Sequence, residues 1–221
     1  MRGFFFALPK SGEIRVRVVA QKFIVFSSLT PCAEMAVSLC SGPMQHPLSR
    51  NWPKYLIGWA FCFALRLLPY RPANLEPVMA ATMPFGKVFG LFAGFVFGFL
   101  SIVLYDVATN LVGIWTLVTA MSYGLVGLAA GLYFRNRKGS VTNYVLFAIL
   151  ATIAYDLVTG VLMGPVLFGG SMREAFLGQI PFTLQHLLGN VILAAVVSPL
   201  LERWVLTNER LEIWPGRKTA L

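Results

Sequence analysis

Charge is what this chain has least of. Asp, Glu, Lys and Arg together make up 12% of its 221 residues, against about 25% in an ordinary soluble domain. That is too little polar surface to cover a water-soluble globule of this size. Hydrophobic residues make up 57% and the mean hydropathy is +0.71, so lipid is the solvent that the composition fits. Acidic groups are the scarcer sign, 9 against 18 Lys and Arg, for a net charge of +9. The basic residues lie at helix ends and not along one face. This argues against the nucleic-acid reading of a basic chain and fits positive-inside topology with attraction to anionic lipid.

Cysteine and histidine are equally sparse. Cys32, Cys40 and Cys62 follow no zinc or redox spacing, and His46 and His186 stand far apart. No metal site and no cofactor is expected. The chain has no phosphate loop, no nucleophile elbow and no His-Glu-x-x-His. Nothing nominates a catalytic centre, and an enzyme is not expected.

Long apolar runs are abundant, but only from Trp52 onward. Residues 1–49 carry Arg2, Lys10, Arg15, Arg17 and Lys22, and their apolar stretches are short. The stretch Val18–Cys40 is broken by Gln21, Lys22, Pro31 and Glu34, which is poor material for a spanning helix. Phe4-Phe5-Phe6 is too short for the apolar core of a signal peptide. A poorly structured extension is expected there, with Met44 a candidate for the true start. Residues 50–206 read as a membrane domain, and residues 207–221 as a basic cytoplasmic tail.

The membrane domain reads as an all-α membrane protein, a bundle of six transmembrane helices with cytoplasmic N and C termini. The helices are expected at about Tyr55–Leu68, Val78–Phe85, Val88–Tyr105, Trp115–Phe134, Tyr144–Phe168 and Phe182–Val205. A loop is expected at Arg71–Pro77, whose two prolines disfavour helix. Pro84-Phe85-Gly86-Lys87 is expected to stop the short second helix. Orientation follows from Lys and Arg. With both termini inside, the inner loops hold Lys87, Arg135, Arg137 and Lys138. The inner tail holds Arg203, Arg210, Arg217 and Lys218. The outer loops hold only Arg71 and Arg173, and Arg66 in the first helix snorkels outward or pairs with an acid.

One phrase occurs twice: Tyr105-Asp106-Val107-Ala108-Thr109 and Tyr155-Asp156-Leu157-Val158-Thr159. A carboxylate in an apolar run is expensive unless it faces a cavity, the bundle interior or the interface. The repetition suggests a parallel internal repeat, of the kind transporters carry, or convergence on one polar cluster in the outer half. Asp156 lies roughly 18 Å along its helix at 1.5 Å per residue, so it is the deeper of the two. Asp106 is read either as a ligand or as a helix end, and Asp156 either as a ligand or as an interhelical hydrogen bond.

Glycines 86, 90, 94 and 98 recur every four residues. They are expected to form a stripe on the third helix for close backbone packing, or for sliding against a partner. Candidate substrate-binding residues are Asn74 and Glu76 in the first loop, Tyr105, Asp106 and Trp115 around the third and fourth helices, and Tyr155, Asp156 and Thr159 in the fifth. Thr183, His186 and Asn190 in the sixth share one helix face by their spacing.

These phrases carry a likeness. Arg66-Leu67-Leu68-Pro69, then Pro72-Ala73-Asn74-Leu75-Glu76-Pro77, the Gly86–Gly98 ladder, Tyr105-Asp106 and Ile180-Pro181-Phe182-Thr183-Leu184-Gln185-His186-Leu187-Leu188-Gly189-Asn190 resemble the substrate-binding S component of an energy-coupling factor (ECF) vitamin transporter. The likeness spans about residues 52–206. It implies a multi-pass protein of a bacterial or archaeal cell membrane that binds a vitamin-like small molecule in an outward-facing pocket. It also implies two partners, a transmembrane coupling subunit and a pair of cytoplasmic ATPases. Ala60 and Ala64 match the small residues that face the coupling subunit in that family, and the loop Arg71–Pro77 would be a lid or pocket wall. The alternative is a solitary ion-coupled secondary transporter using Asp106 and Asp156. A membrane-embedded enzyme using His186 and an aspartate is a third reading, short of the acid, base or metal clustering it needs.

Overall fold

The computed structural model describes residues 48–70 and 74–212, and among these there is no strand. Six helices follow one another: α1 Leu48–Arg66, α2 Pro77–Phe89, α3 Leu91–Ala108, α4 Ile114–Phe134, α5 Val141–Phe168 and α6 Met172–Leu206. A short 3₁₀ turn, Glu209–Leu211, ends the described chain. Four helices, α3 to α6, are long and apolar enough to cross a membrane, and with this composition the chain is a membrane protein. The expected N-terminal extension and the end of the basic tail lie outside the described residues, as do positions 71–73 of the expected loop.

The short second helix is the centre of the bundle. Val78 to Phe85 are all buried, and α3, α4, α5 and α6 all pack on α2. Its end differs from the expected one. Pro84 does not stop it, and α2 runs on to Phe89. A proline within a helix frees the carbonyl four residues earlier, here that of Ala80. The buried Ser198 hydroxyl of α6 donates to that carbonyl at 2.7 Å. In lipid an orphaned carbonyl is costly, so this one interhelical bond allows α2 to continue. The break comes instead at Gly90, whose φ of +92° lies in the region glycine enters freely. α3 therefore starts at Leu91 and not at Val88.

Two other starts are earlier than expected by seven residues or more. α6 begins at Met172, ten residues before Phe182. The Ser171 hydroxyl accepts from the Arg173 N–H at 3.3 Å, and Glu174 sits in the first turn, where an acid complements the helix dipole. α1 begins at Leu48 rather than Tyr55, and Pro53 is accommodated near its start.

Glycine sets the spacing between α2, α3 and α4. A Cβ on Gly127 of α4 would lie 2.1 Å from the Gly94 carbonyl oxygen of α3. One on Gly98 would lie 2.4 Å from the Tyr123 oxygen, and one on Gly86 2.8 Å from the Gly127 oxygen. The stripe is thus shared between α2 and α3, and it makes close internal packing. In lipid, where apolar burial does not drive helix association, such contact is the main source of cohesion. An aromatic cluster fills the wider gaps: Phe85 stacks on Phe97 with ring centres 3.8 Å apart, and Tyr55 packs against both.

Charge gathers at one pole. Glu202 of α6 pairs with Lys87 of α2 and accepts from the Tyr144 hydroxyl of α5 at 2.7 Å. The buried Lys54 of α1 donates to the Leu206 carbonyl at 2.9 Å and to Glu212 at 3.0 Å. Arg135, Arg137 and Lys138 follow α4. The loops after α1, α3 and α5 lie at the opposite pole, where the candidate site begins.

Candidate functional site

Two pairs of residues, each one helical turn apart, meet across the α5–α6 contact. α5 supplies Thr152 and Asp156, and α6 supplies His186 and Asn190. His186 Nδ1 lies 2.8 Å from Asp156 Oδ1. Asn190 Nδ2 donates to Thr152 Oγ1 at 2.8 Å, and Thr152 donates in turn to the Met79 sulfur of α2 at 3.3 Å. All four polar side chains are at most 2% exposed. Rings fix the imidazole from two sides: Tyr155 and Phe182 stand edge-on to it, with centres 5.9 and 5.7 Å away. Tyr155 rests in turn on Tyr123 of α4 at 4.7 Å.

The cluster is not internally satisfied. Asp156 Oδ2, His186 Nε2 and Asn190 Oδ1 are buried with no hydrogen-bond partner among the described residues. Buried polar atoms are ordinarily paired, and each exception asks for an explanation. Immediately after Asp156 the helix widens into a π stretch, Leu157–Met163, a local geometry frequent at functional sites. A cleft of about 220 Å³ opens beside it, between α5 and the early turns of α6. Its walls include Ile153, Leu157 and Phe176, and its polar groups are Asp156, Gln179 and Thr183.

The first loop closes on the same end of the bundle. Asn74, with φ at +65°, donates through Nδ2 to Gln185 Oε1 at 3.3 Å. The Asn74 carbonyl presses on α6 at Gly189, where a Cβ would come within 2.9 Å of it. Glu76 lies 3.6 Å from Arg66, whose guanidinium sits 3.8 Å above the Tyr105 ring. A cation over an aromatic face is a favourable and orienting contact.

The two Tyr-Asp-x-x-Thr phrases share one local geometry and then part. In each, the threonine hydroxyl donates to the tyrosine carbonyl one turn back, at 2.8 Å for Thr109 to Tyr105 and 2.8 Å for Thr159 to Tyr155. Asp106, however, accepts from Thr116 at 2.6 Å, while the Gly113 N–H donates to the same hydroxyl at 3.0 Å. That aspartate ties the end of α3 to the start of α4. It does not meet Asp156. Trp115 packs on Phe168 at 5.5 Å, and Thr183 pairs with Gln179 at 3.5 Å. Ala60 and Ala64 are exposed on α1.

Thr152, Tyr123 and Met79 join the site without being expected there. Thr152 carries a usable signal, since it stands one turn before Asp156 as His186 stands one turn before Asn190. Met79 carries none, because its sulfur matters only through tertiary contact. Among the described residues no group of three or more His, Cys, Asp or Glu is placed to hold a metal.

A family model described as "ECF-type riboflavin transporter, S component" matches residues 55–206, well over half of the chain. No curated protein and no solved structure matches.

Proposed function

The chain belongs to the family of ECF-type riboflavin transporter S components, and from that premise we propose that it captures a flavin-type vitamin at the pole opposite its basic end. It passes the ligand on through a separate module, a transmembrane coupling subunit and two cytoplasmic ATPases. The observation that carries this reading is the buried Asp156–His186–Asn190 cluster, with three polar atoms unpaired among the described residues, beside an apolar cleft. An apolar recess with a few convergent polar groups is the common form of a small-molecule site.

In this reading Asp156, His186, Asn190, Tyr155 and Thr183 bind the ligand, and Asn74 and Glu76 belong to the lid. Tyr105 orients Arg66 beneath that lid. Asp106 and Trp115 brace the neighbouring loop, and Thr159 stabilises the widened turn of α5. The cleft of about 220 Å³ is smaller than the roughly 300 Å³ at which drug-sized sites begin. Capture therefore includes movement of the Asn74–Glu76 lid or of the first turns of α6.

The six helices each cross the membrane of a bacterial or archaeal cell, with both termini in the cytoplasm. The cluster of Lys87, Arg135, Arg137 and Lys138 at one pole supports this orientation. Reporter fusions are expected to place residues 106–114 outside, and a cytoplasmic signal there would overturn the topology. Ala60 and Ala64 lie on the face of α1 that meets the coupling subunit. S components are not an enzyme class, and the proposed role is binding and delivery without catalysis. The functional test is the identity of the small molecule carried by the purified protein, for which a flavin is expected.

A further inference from the structure

The unpaired atoms of the buried cluster are of one kind while its imidazole is neutral. A carboxylate has only lone pairs, so the bond between Asp156 Oδ1 and His186 Nδ1 is donated by the imidazole. In a neutral ring the other nitrogen, Nε2, then keeps its lone pair. Asn190 spends its amino group on Thr152, which leaves its carbonyl oxygen. Asp156 Oδ2 and Asn190 Oδ1 are therefore two buried acceptors without a donor among the described residues, and His186 Nε2 is a third while the ring is neutral. They stand on adjoining turns of α5 and α6, and Asp156 also lines the apolar cleft.

From this we infer that the Asp156–His186–Asn190 cluster is a subsite for a chain of hydroxyl groups, and that it receives the polyol arm of the ligand and not its ring. The inference rests on the flavin reading above. A flavin has two ends of different chemistry. The pyrimidine edge of the ring offers one N–H between two carbonyl oxygens, and those oxygens would face acceptors here and be repelled. The ribityl arm offers a run of O–H donors, each free to rotate toward a lone pair. The flat ring is left for the apolar walls, Ile153, Leu157 and Phe176. Buried acceptors built for hydroxyls reject analogues that lack them, because the site's own groups then stay unpaired.

The test is a fluorescence titration of the full-length protein in detergent with riboflavin and with lumiflavin, which carries the same ring and a methyl group in place of the polyol. The wild-type protein is expected to bind riboflavin at least about tenfold more tightly, as two or more net hydrogen bonds require. Asp156→Asn turns one acceptor into a donor at constant volume. It is expected to remove most of that preference, weakening riboflavin far more than lumiflavin. Equal affinities in the wild type overturn the inference and leave the flavin reading standing. So does a variant that keeps the full preference, or one that weakens both ligands alike. Failure of both ligands to bind the wild type overturns the flavin reading itself, and the subsite with it. The wild-type comparison decides the matter even if the variant does not fold.

Discussion

Replacing Gly127 with leucine is expected to leave no folded protein in detergent extracts, seen as loss of the monodisperse peak in size exclusion. The added Cβ alone would lie 2.1 Å from the Gly94 carbonyl oxygen and 2.3 Å from its carbon. Overpacking a fitted core costs about 1–3 kcal/mol when side chains can give way. Here the obstacle is backbone, and relieving it means prising α3 from α4, the most extensive helix contact in the bundle. Little else replaces that contact, since lipid tails solvate apolar side chains as well as a neighbouring helix does. Gly90 makes the control: its Cβ would meet nothing within 4 Å, so Gly90→Ala carries only the strain of a positive φ and is expected to fold with a lowered melting temperature. A well-folded Gly127→Leu protein would show that the glycine stripe is not what holds α3 to α4.

The second large effect concerns delivery. Ala64→Trp is expected to leave flavin binding unchanged and to reduce uptake into cells roughly 5- to 150-fold, which corresponds to the 1–3 kcal/mol of a clash at a fitted contact. The two halves of this prediction have separate reasons. Ala64 is exposed, and α1 is the helix least engaged by the rest of the bundle, so a large side chain there disturbs no internal packing. The same face carries Ala60 one turn earlier, and two small residues so spaced let another helix approach closely. Uptake is measured in cells that also express the coupling subunit and ATPases, and binding on the purified variant. If uptake persists at the wild-type rate, or proceeds without the ATPase module, the assignment of this face fails and the solitary transporter regains its claim.

Much of this molecule is legible in the order of its residues, and the illegible parts share a cause. Composition identifies the solvent, and the apolar runs locate four long helices. Asp156 and His186 stand out because ionisable groups in apolar stretches are expensive. Their pairing is not legible, because it depends on how α5 and α6 slide past each other, which no local pattern encodes. The second helix shows the same limit. Pro84 is a breaker by every local rule, and only a hydroxyl 118 positions beyond Ala80, that of Ser198, lets the helix pass through it. Gly90 reads as one more rung of the packing ladder, yet it is the break between α2 and α3. The repeated Tyr-Asp-x-x-Thr phrase is readable as local geometry, since both threonines bond back to their tyrosines, but the different partners of the two aspartates are not.

Flavin capture is tested most directly by mass spectrometry of the small molecule that stays with the protein through gentle purification, followed by titration of the stripped protein. A flavin is expected, rebinding at one molecule per chain. A different metabolite as the retained ligand, or stripped protein that takes up no flavin at micromolar concentration, would contradict it.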